Sequence, residues 1–409
     1  MKKPNLSGYL TLTTCLFFLV CLRPVWALAT SLMPIEFSVN FSLRHLAPGI
    51  SLLEVKNPWS GAKDGFCYLL MDREKRLATE QAPKGYENCT VIKVPVKSMV
   101  VLSSTYYAFI DALGGTRFIV GASSPWKANT RSIREGFEEG HIEDVGQGLN
   151  VNVETLLKLM PEVVFTYATG GFRDVHPKLQ EAGLKVVVCA EYMEEHPLGR
   201  AEWIKFFGLF LKNQKEAARL FEKTKNTYLH LAQRARNSET KPLVITNTPF
   251  AGRWFVPGGK SFVARLIQDA GATYVFQDIP AAGSIPMDIE LVYFRGKGAS
   301  FWINTGTWQC LEDVERTDPR FTDFISVKGQ RLYNNNRRVN SQGGNDYWES
   351  GVMRPDRILA DLISIFHWKL LPHHNLYYYR RLPAHCQQAL PSPRGRNPSS
   401  PKARGSIHQ

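Results

Sequence analysis

Short β-branched runs alternate with amphipathic segments along the middle of the chain. Between residues 97 and 190 the pattern predicts strands at 98–102, 118–122, 162–166 and 185–189. The intervening segments predict helices at 106–113, 153–160 and 176–182. Such alternation is typical of βαβ units and a mostly parallel sheet. This part of the chain therefore predicts one α/β lobe.

The same alternation resumes after residue 240, with strands predicted at 243–246, 274–276 and 300–304 and helices at 261–270, 288–294 and 357–367. Residues 214–236, which lie between the two regions, contain neither Gly nor Pro, and their apolar residues recur at three- and four-residue steps. That spacing predicts one amphipathic helix of roughly 35 Å. The predicted fold class is α/β, with two Rossmann-like lobes joined by a single long rigid helix and a ligand cleft between the lobes.

The predicted domain organisation has six segments. They are a signal peptide (1–29), extra strands attached to the first lobe (30–95), the N-terminal lobe (96–212), the connecting helix (213–237), the C-terminal lobe (238–380) and a disordered basic tail (381–409). The tail assignment depends on its Pro, Ser and Arg content and its few apolar residues.

The first 29 residues have the parts of a secretory signal. Lys2 and Lys3 precede a short apolar run, and Ala27-Leu28-Ala29 offers small residues for cleavage. We expect cleavage near Ala29 and a soluble protein in the periplasm or another extracytoplasmic compartment. An uncleaved anchor and lipid attachment at Cys21 are the alternatives, and Val20 is larger than a lipoprotein site usually accepts.

Charge and cysteine content exclude several classes of partner and site. The formal net charge is +13, but eight of these charges lie in 1–29 and 381–409, so the middle carries only +5. That excess is too mild to indicate nucleic acid. Five cysteines remain after cleavage, without paired CxxC spacing, so no metal site is predicted. A Cys67–Cys89 disulfide and buried free thiols are both open.

No catalytic residue is predicted, and the protein is expected not to be an enzyme. GxSxG, HExxH and GxGxxG are absent, and the P-loop-like segment 257–261 has Trp254 where the motif requires glycine. The alternative is a chelatase-like enzyme, which would need His141, Glu143 and His176 to converge in the cleft.

Aromatic and basic residues recur in the loops where open α/β sheets bind their ligands. Aromatic rings provide stacking area and arginines pair with anionic oxygens, so these loops predict a cleft for a bulky, partly anionic small molecule. The predicted ligand-binding residues are Tyr106, Tyr107, Trp126, Tyr167, Arg173, Arg253, Trp254, Trp308, Arg337, Tyr347 and Trp348. For each of them, covering the core of a lobe is the alternative role.

One long string resembles a known family. Residues 145–165, with Val145-Gly146 followed by Asn152-Val153-Glu154-Thr155-Leu156-Leu157 and Pro161-Glu162-Val163-Val164, resemble the "VG…NxExLLxLxPDLV" stretch of the substrate-binding proteins of ABC importers for iron–siderophores, haem and vitamin B12. The resemblance spans about residues 97–380. It implies two α/β lobes bridged by one rigid helix.

The resemblance also implies how the protein meets its partners. In this family a glutamate on each lobe docks onto arginines of the membrane permease, and the motif matches place them at Glu154 and Glu290. The expected partners are the permease with its ATPase and a small metal chelate, bound by a monomer without a cofactor. An iron–siderophore is the first expectation, because Arg253, Arg337 and Arg338 adjoin aromatic loops. Haem or a corrinoid is the alternative cargo.

Overall fold

The computed structural model describes residues 33–75 and 82–386. It confirms the predicted α/β class, with parallel sheets in two lobes. The predicted signal peptide, its cleavage site and residues 387–409 of the predicted tail lie outside the described residues. Among the helices of the described ranges, none has the length and hydrophobicity that a bilayer span requires.

A four-stranded sheet precedes the first lobe. Its strands, in the spatial order β1-β2-β3-β4, are β1 (Phe41–Ala47), β2 (Ile50–Val55), β3 (Phe66–Asp72) and β4 (Thr90–Val94). The first three pair antiparallel, and β3 pairs with β4 in parallel. A Cys67–Cys89 disulfide joins β3 to the residue before β4, so one of the two open alternatives is observed.

The first lobe is a five-stranded parallel sheet with the order β7-β6-β5-β8-β9. Its strands are β5 (Met99–Val101), β6 (Ile119–Ala122), β7 (Glu143–Asp144), β8 (Val163–Tyr167) and β9 (Val186–Cys189). Its helices are α1 (Tyr107–Ala112), α2 (Arg131–Glu138), α3 (Val153–Leu159), α4 (His176–Glu181) and α5 (Pro197–Phe210). Asn152 caps α3, because its Oδ1 accepts from the Thr155 N–H at 3.1 Å.

The connecting helix α6 spans Gln214–Arg236, the bounds that its apolar spacing predicts. It packs against α5 of the first lobe and against α12 of the second, defined below. The Tyr228 hydroxyl donates to Asp269 of the second lobe at 2.7 Å. A single helix therefore contacts both lobes.

The second lobe holds a five-stranded sheet, β13-β10-β15-β16-β17, and a small antiparallel sheet, β11-β12-β14. The strands are β10 (Leu243–Thr246), β11 (Pro249–Phe250), β12 (Arg253–Pro257), β13 (Thr273–Tyr274), β14 (Ser284–Met287), β15 (Phe301–Ile303), β16 (Leu332–Asn334) and β17 (Arg380–Arg381). The helices are α7 (Phe262–Asp269), α8 (Ile289–Gly296), α9 (Glu312–Thr317), α10 (Ile325–Lys328), α11 (Ser350–Met353) and α12 (Pro355–Phe366).

Residues 381–386 are part of the second lobe, whereas the sequence predicted a disordered tail from residue 381. Arg381 pairs with Tyr333 in the antiparallel edge strand β17, and Leu382 is buried. A second disulfide joins Cys310 to Cys386. The segment has few apolar residues, so its composition predicts disorder. It is ordered because one strand pair and one disulfide hold it, and composition reveals neither.

A buried pair of glutamates fixes the segment that leads into β1. Glu202 accepts from the N–H groups of Glu36, Phe37 and Ser38 at 2.7–2.8 Å and from Lys205 Nζ at 2.7 Å. Glu194 accepts from the N–H groups of Val39 and Asn40 at 3.1 Å and from Trp203 Nε1 at 3.0 Å. The N-terminal sheet is thereby anchored to the start of α5.

His196 caps the N-terminus of α5, and the cap requires the neutral form of its ring. Its Nδ1 accepts from the Leu198 N–H at 3.0 Å, and burial lowers the pKa of its ring to about 4 from 6.5. Since the folded pKa lies below the unfolded value, folding stability is lost as the pH falls from 6.5 towards 4.

We therefore expect His196→Asn, which keeps a cap acceptor without a titrating ring, to lose less stability on acidification than the parent. The expected difference between pH 7 and pH 4.5 is about 1 kcal/mol, because partial exposure reduces the effect. Denaturant unfolding at both pH values measures it. Identical pH dependence in the two proteins would contradict the assignment.

Candidate functional site

Two adjoining cavities lie between the lobes and meet at Trp348. Their volumes are about 500 Å³ and 530 Å³, and both are lined by Asn345 and Trp348. The Trp348 side chain is 47% exposed, so a ring face is open to a ligand. Together the two cavities form a cleft large enough for a bulky small molecule.

The first cavity is rich in neutral hydrogen-bonding groups. Asn247 and Asn304 directly follow the carboxyl ends of β10 and β15 and have φ values of 63° and 55°. Asparagine tolerates this left-handed conformation, which turns the chain at the sheet edge. Further polar residues along this wall are Thr248, Ser261, Ser284, Asn335 and Asn336.

The second cavity is lined mainly by the first lobe. The loops after β5, β6 and β8 contribute Ser103, Ser104, Ser123, Ser124, Lys127 and Tyr167. Tyr167 ends β8 and is 41% exposed. Three parallel strands therefore direct their carboxyl-end loops into one cavity, as expected for an open α/β sheet.

Arg200 of α5 provides a positive charge in the first cavity. Its guanidinium donates to the backbone oxygens of Tyr192, at 2.7 Å, and Glu194, at 3.3 Å. Its Cζ atom lies 4.2 Å from the centroid of the Phe262 ring, so it bridges the lobes. Burial lowers the pKa of the Arg200 guanidinium, while the nearby Glu191 carboxyl opposes this shift. The two carbonyl acceptors carry no charge, so the cation can still attract an anionic ligand.

A loop of the second lobe, residues 339–349, contacts the first lobe beside this cleft, and we call it the clasp. The buried Glu349 carboxylate accepts from the N–H groups of Asn129, at 2.8 Å, and Thr130, at 2.5 Å. Asn340 Nδ2 donates to the Lys127 oxygen at 2.7 Å. A Cβ atom on Gly344 would lie 1.9 Å from that same oxygen, so only glycine fits there. The clasp holds the lobes together at one end of the cleft.

Two of the predicted ligand-binding residues, Tyr167 and Trp348, line the cavities. Their contact with a ligand stays a prediction. The structure places five other predicted rings in the cores of the lobes instead of in the cleft: Tyr106, Tyr107, Trp254, Trp308 and Tyr347. Tyr106, just before α1, and Tyr107, its first residue, are both buried, and Trp254 stacks on Trp302 with centroids 5.3 Å apart. For these rings the alternative role, covering a core, is the one observed.

The remaining four predicted residues do not line the two cavities. Trp126 Nε1 donates to Asp144 at 3.2 Å, and Arg173 lies over the exposed ring of Phe172. Arg253 pairs with Asp288 at 2.5 Å. Arg337 is exposed, and its backbone N–H donates to the Tyr378 oxygen. The positive charges that line the cavities are instead those of Arg200 and Lys127.

The residues of the alternative enzyme site are not brought together. His141 is exposed beside Glu139, whereas His176 is buried between the rings of Trp59 and Phe66. Within the described ranges, the one cluster with metal-ligand spacing is Cys310, Asp313 and Cys386. Its two sulfurs are joined in a disulfide, so they cannot serve as thiolate ligands.

The two predicted docking glutamates occupy similar positions in the two lobes. Glu154 lies in the first turn of α3 and Glu290 in the first turn of α8, and both are exposed. Large exposed apolar side chains lie near each glutamate. Near Glu154 they are Leu157, which is 46% exposed, and Met160, which is 79% exposed. Near Glu290 they are Leu291, which is 45% exposed, and Phe294, which is 73% exposed. Carboxylates in a first turn are stabilised by the helix dipole.

The fold and the cleft define a class of architecture, namely two α/β lobes bridged by one helix with a cleft between them. Residues 99–292 match the model of a family described as periplasmic binding protein. Over these residues the chain is similar to that family, in agreement with the resemblance that the sequence shows. Members of the family are the substrate-binding components of ABC importers.

Individual relatives agree with this assignment. An uncharacterized lipoprotein of Methanocaldococcus jannaschii is 28% identical over 331 residues, which cover 76% of this chain and 77% of the relative. A possible iron-binding (periplasmic solute-binding) protein from Staphylococcus epidermidis has a TM-score of 0.54 at 19% identity and covers 67% of this chain and 99% of its own. A periplasmic haem-binding protein from Pseudomonas aeruginosa has a TM-score of 0.54 at 15% identity, covering 72% of this chain and 100% of its own. The solved structures share the fold.

Proposed function

We propose that the protein captures a metal chelate outside the cytoplasm and delivers it to an ABC importer, and that an iron–siderophore is the first candidate cargo. The observation that carries the proposal is the polar cleft between the lobes, with Trp348 at its centre and Arg200 in its wall. The family match and the iron-binding and haem-binding names of the structural neighbours support the same class of cargo.

The chemistry of the walls favours a chelate with many oxygen atoms. Serine, threonine and asparagine side chains line both cavities, and Arg200 and Lys127 add one positive charge to each. Hydroxamate, catecholate and carboxylate oxygens around a ferric ion are strong acceptors that such donors match. The exposed Trp348 ring gives a planar surface for an aromatic or apolar part of the chelate.

Haem or a corrinoid is the alternative cargo. Tyr167 lines the second cavity with a phenol group, and tyrosinate is a known axial ligand of haem iron. The haem-binding name of the Pseudomonas neighbour supports this alternative. A corrinoid would use the amide groups of the asparagine-rich wall.

A titration tests the proposal. The purified protein is titrated with ferric hydroxamate and catecholate siderophores, haemin and cobalamin while tryptophan fluorescence is followed. We expect saturable quenching by one of them, with most of the signal lost in Trp348→Phe. Arg200→Gln is expected to weaken an anionic chelate about tenfold, whereas Arg219→Gln on the surface of α6 leaves the affinity unchanged. No response to any of these compounds would contradict the proposed function.

A further inference from the structure

The cleft does not end at Arg200. A cavity of about 700 Å³ adjoins the first cavity at Tyr192, Arg200 and Phe262. It shares Ser60, Met193 and Glu195 with a further cavity of about 440 Å³. We call these two cavities the annex.

The N-terminal sheet provides one wall of the annex. Trp59 and Ser60 belong to the loop between β2 and β3, which precedes the residues that match the family model. The Tyr192 hydroxyl lies within hydrogen-bond distance of the Ala168 oxygen, at 2.6 Å, and the Pro58 oxygen, at 3.1 Å, so the loop is held against the first lobe. The second lobe closes the opposite wall with residues 281–285. The annex is therefore a preformed site with walls from three parts of the chain.

The charges of the smaller annex cavity favour a cation, because carboxylates line it and, of the described residues, no arginine or lysine does. Glu195 is exposed and lines both cavities. Its neighbour Glu194 is buried and already accepts bonds from Val39, Asn40 and Trp203. Burial lowers the pKa of His196 to about 4, so this ring is neutral at pH 7. Of the two annex cavities, Arg200 lines only the larger, where two backbone oxygens hold its guanidinium.

The uncharged lining fits the stem of such a cation. Trp59 and Phe37 bring aromatic rings and Met193 brings a thioether to the smaller cavity, while Phe262 and Ile285 line the larger one. A cavity that a carboxylate and aromatic rings both line is a favourable environment for an ammonium group, through cation–π attraction and charge pairing. Apolar side chains around it would bury the carbon chain that carries this group.

From this arrangement we propose that the annex binds an organic ammonium group on an apolar chain, with the nitrogen at Glu195 and Trp59. The ammonium would be the end of a basic arm of the cargo, and this last assignment rests on the proposed function. The annex itself can be tested without any chelate, so its failure and that of the proposed function are distinguishable.

The test uses n-hexylammonium and the neutral 1-hexanol as probes, with the full-length protein carrying ¹³C-methyl methionine. The Met193 signal is assigned with Met193→Leu. We expect n-hexylammonium to shift the Met193 signal in a saturable way, with an affinity about fivefold higher than that of 1-hexanol. Glu195→Gln is expected to bring the two affinities to within about twofold, and Ser60→Trp to abolish the shift by filling the cavity.

Glu181→Gln, which removes an exposed carboxylate of α4 elsewhere, is the matched control and should keep the fivefold preference. Unchanged methionine signals away from Met193 show that each variant is folded. The proposal is overturned if the ammonium leaves Met193 unshifted, if the alcohol binds equally well, or if Glu195→Gln retains the preference. Whether a chelate binds in the separate titration does not alter these outcomes.

Discussion

Exchanging Glu154 and Glu290 together for arginine is expected to abolish uptake of the cargo while leaving its binding unchanged. Both side chains are exposed at the starts of helices, and neither lines the cleft. If they dock onto arginines of a permease, reversed charges would place like charges opposite each other, which costs several kcal/mol. We expect at least about a hundredfold loss of uptake, measured with a radioactive chelate in cells that produce only the variant.

Matched substitutions separate docking from general charge effects. Glu138→Arg and Glu181→Arg alter exposed carboxylates of α2 and α4 and should leave uptake at the parental rate. Arg320 lies 3.7 Å from Glu290, so Glu290→Gln serves as a milder variant that adds no second cation there. Parental uptake by the Glu154→Arg, Glu290→Arg protein would refute the docking assignment.

Opening the clasp is expected to have the second-largest effect. In Gly344→Ala the new methyl group would lie 1.9 Å from the Lys127 oxygen and 2.8 Å from Asn340 Nδ2, so the loop must move away from the first lobe. Gly344, Asn345 and Trp348 line the second cavity, so this movement alters the cleft itself. We expect the unfolding free energy to fall by about 1–3 kcal/mol and the affinity for the chelate to fall about tenfold.

Denaturant unfolding and the fluorescence titration measure these two quantities. Gly298→Ala is the matched control, because a Cβ at that position would meet no atom within 4 Å. Asn340→Ala is a second, independent disruption of the clasp and should weaken binding in the same direction. Parental affinity in both Gly344→Ala and Asn340→Ala would show that the clasp plays no part in holding the cargo.

Much of the fold could be predicted from periodicity. The spacing of apolar residues in α6 indicates one buried face, so its bounds were predictable. The helix α5 escaped prediction because all but one of its residues are buried, Glu202 and Lys205 included, and a helix buried on all sides has no amphipathic pattern. In the small sheet β11-β12-β14, the two residues of β11 are too few to give a period-2 signal.

The site was less predictable than the fold, because loop composition does not reveal which way a side chain points. Tyr106 lies in the loop after β5, and Trp348 lies in the clasp. Tyr106 is buried, whereas Trp348 is 47% exposed. Arg200 was missed because it belongs to α5, far in sequence from every predicted loop. The helix also carries Glu202 and Lys205, which pair with each other at 2.7 Å, so the sequence alone did not single out Arg200 as the charge that faces the cleft.

The disulfide at the end of the described chain has a practical consequence for metal analysis. With the Cys310–Cys386 bond intact, neither sulfur is a thiolate. A preparation made in a reducing cytoplasm would instead present two thiols and the Asp313 carboxylate within 4.8 Å of one another, a ligand set that suits zinc. Zinc found in such a sample would show that Cys310 and Cys386 are reduced. It would not identify the cargo that binds in the cleft.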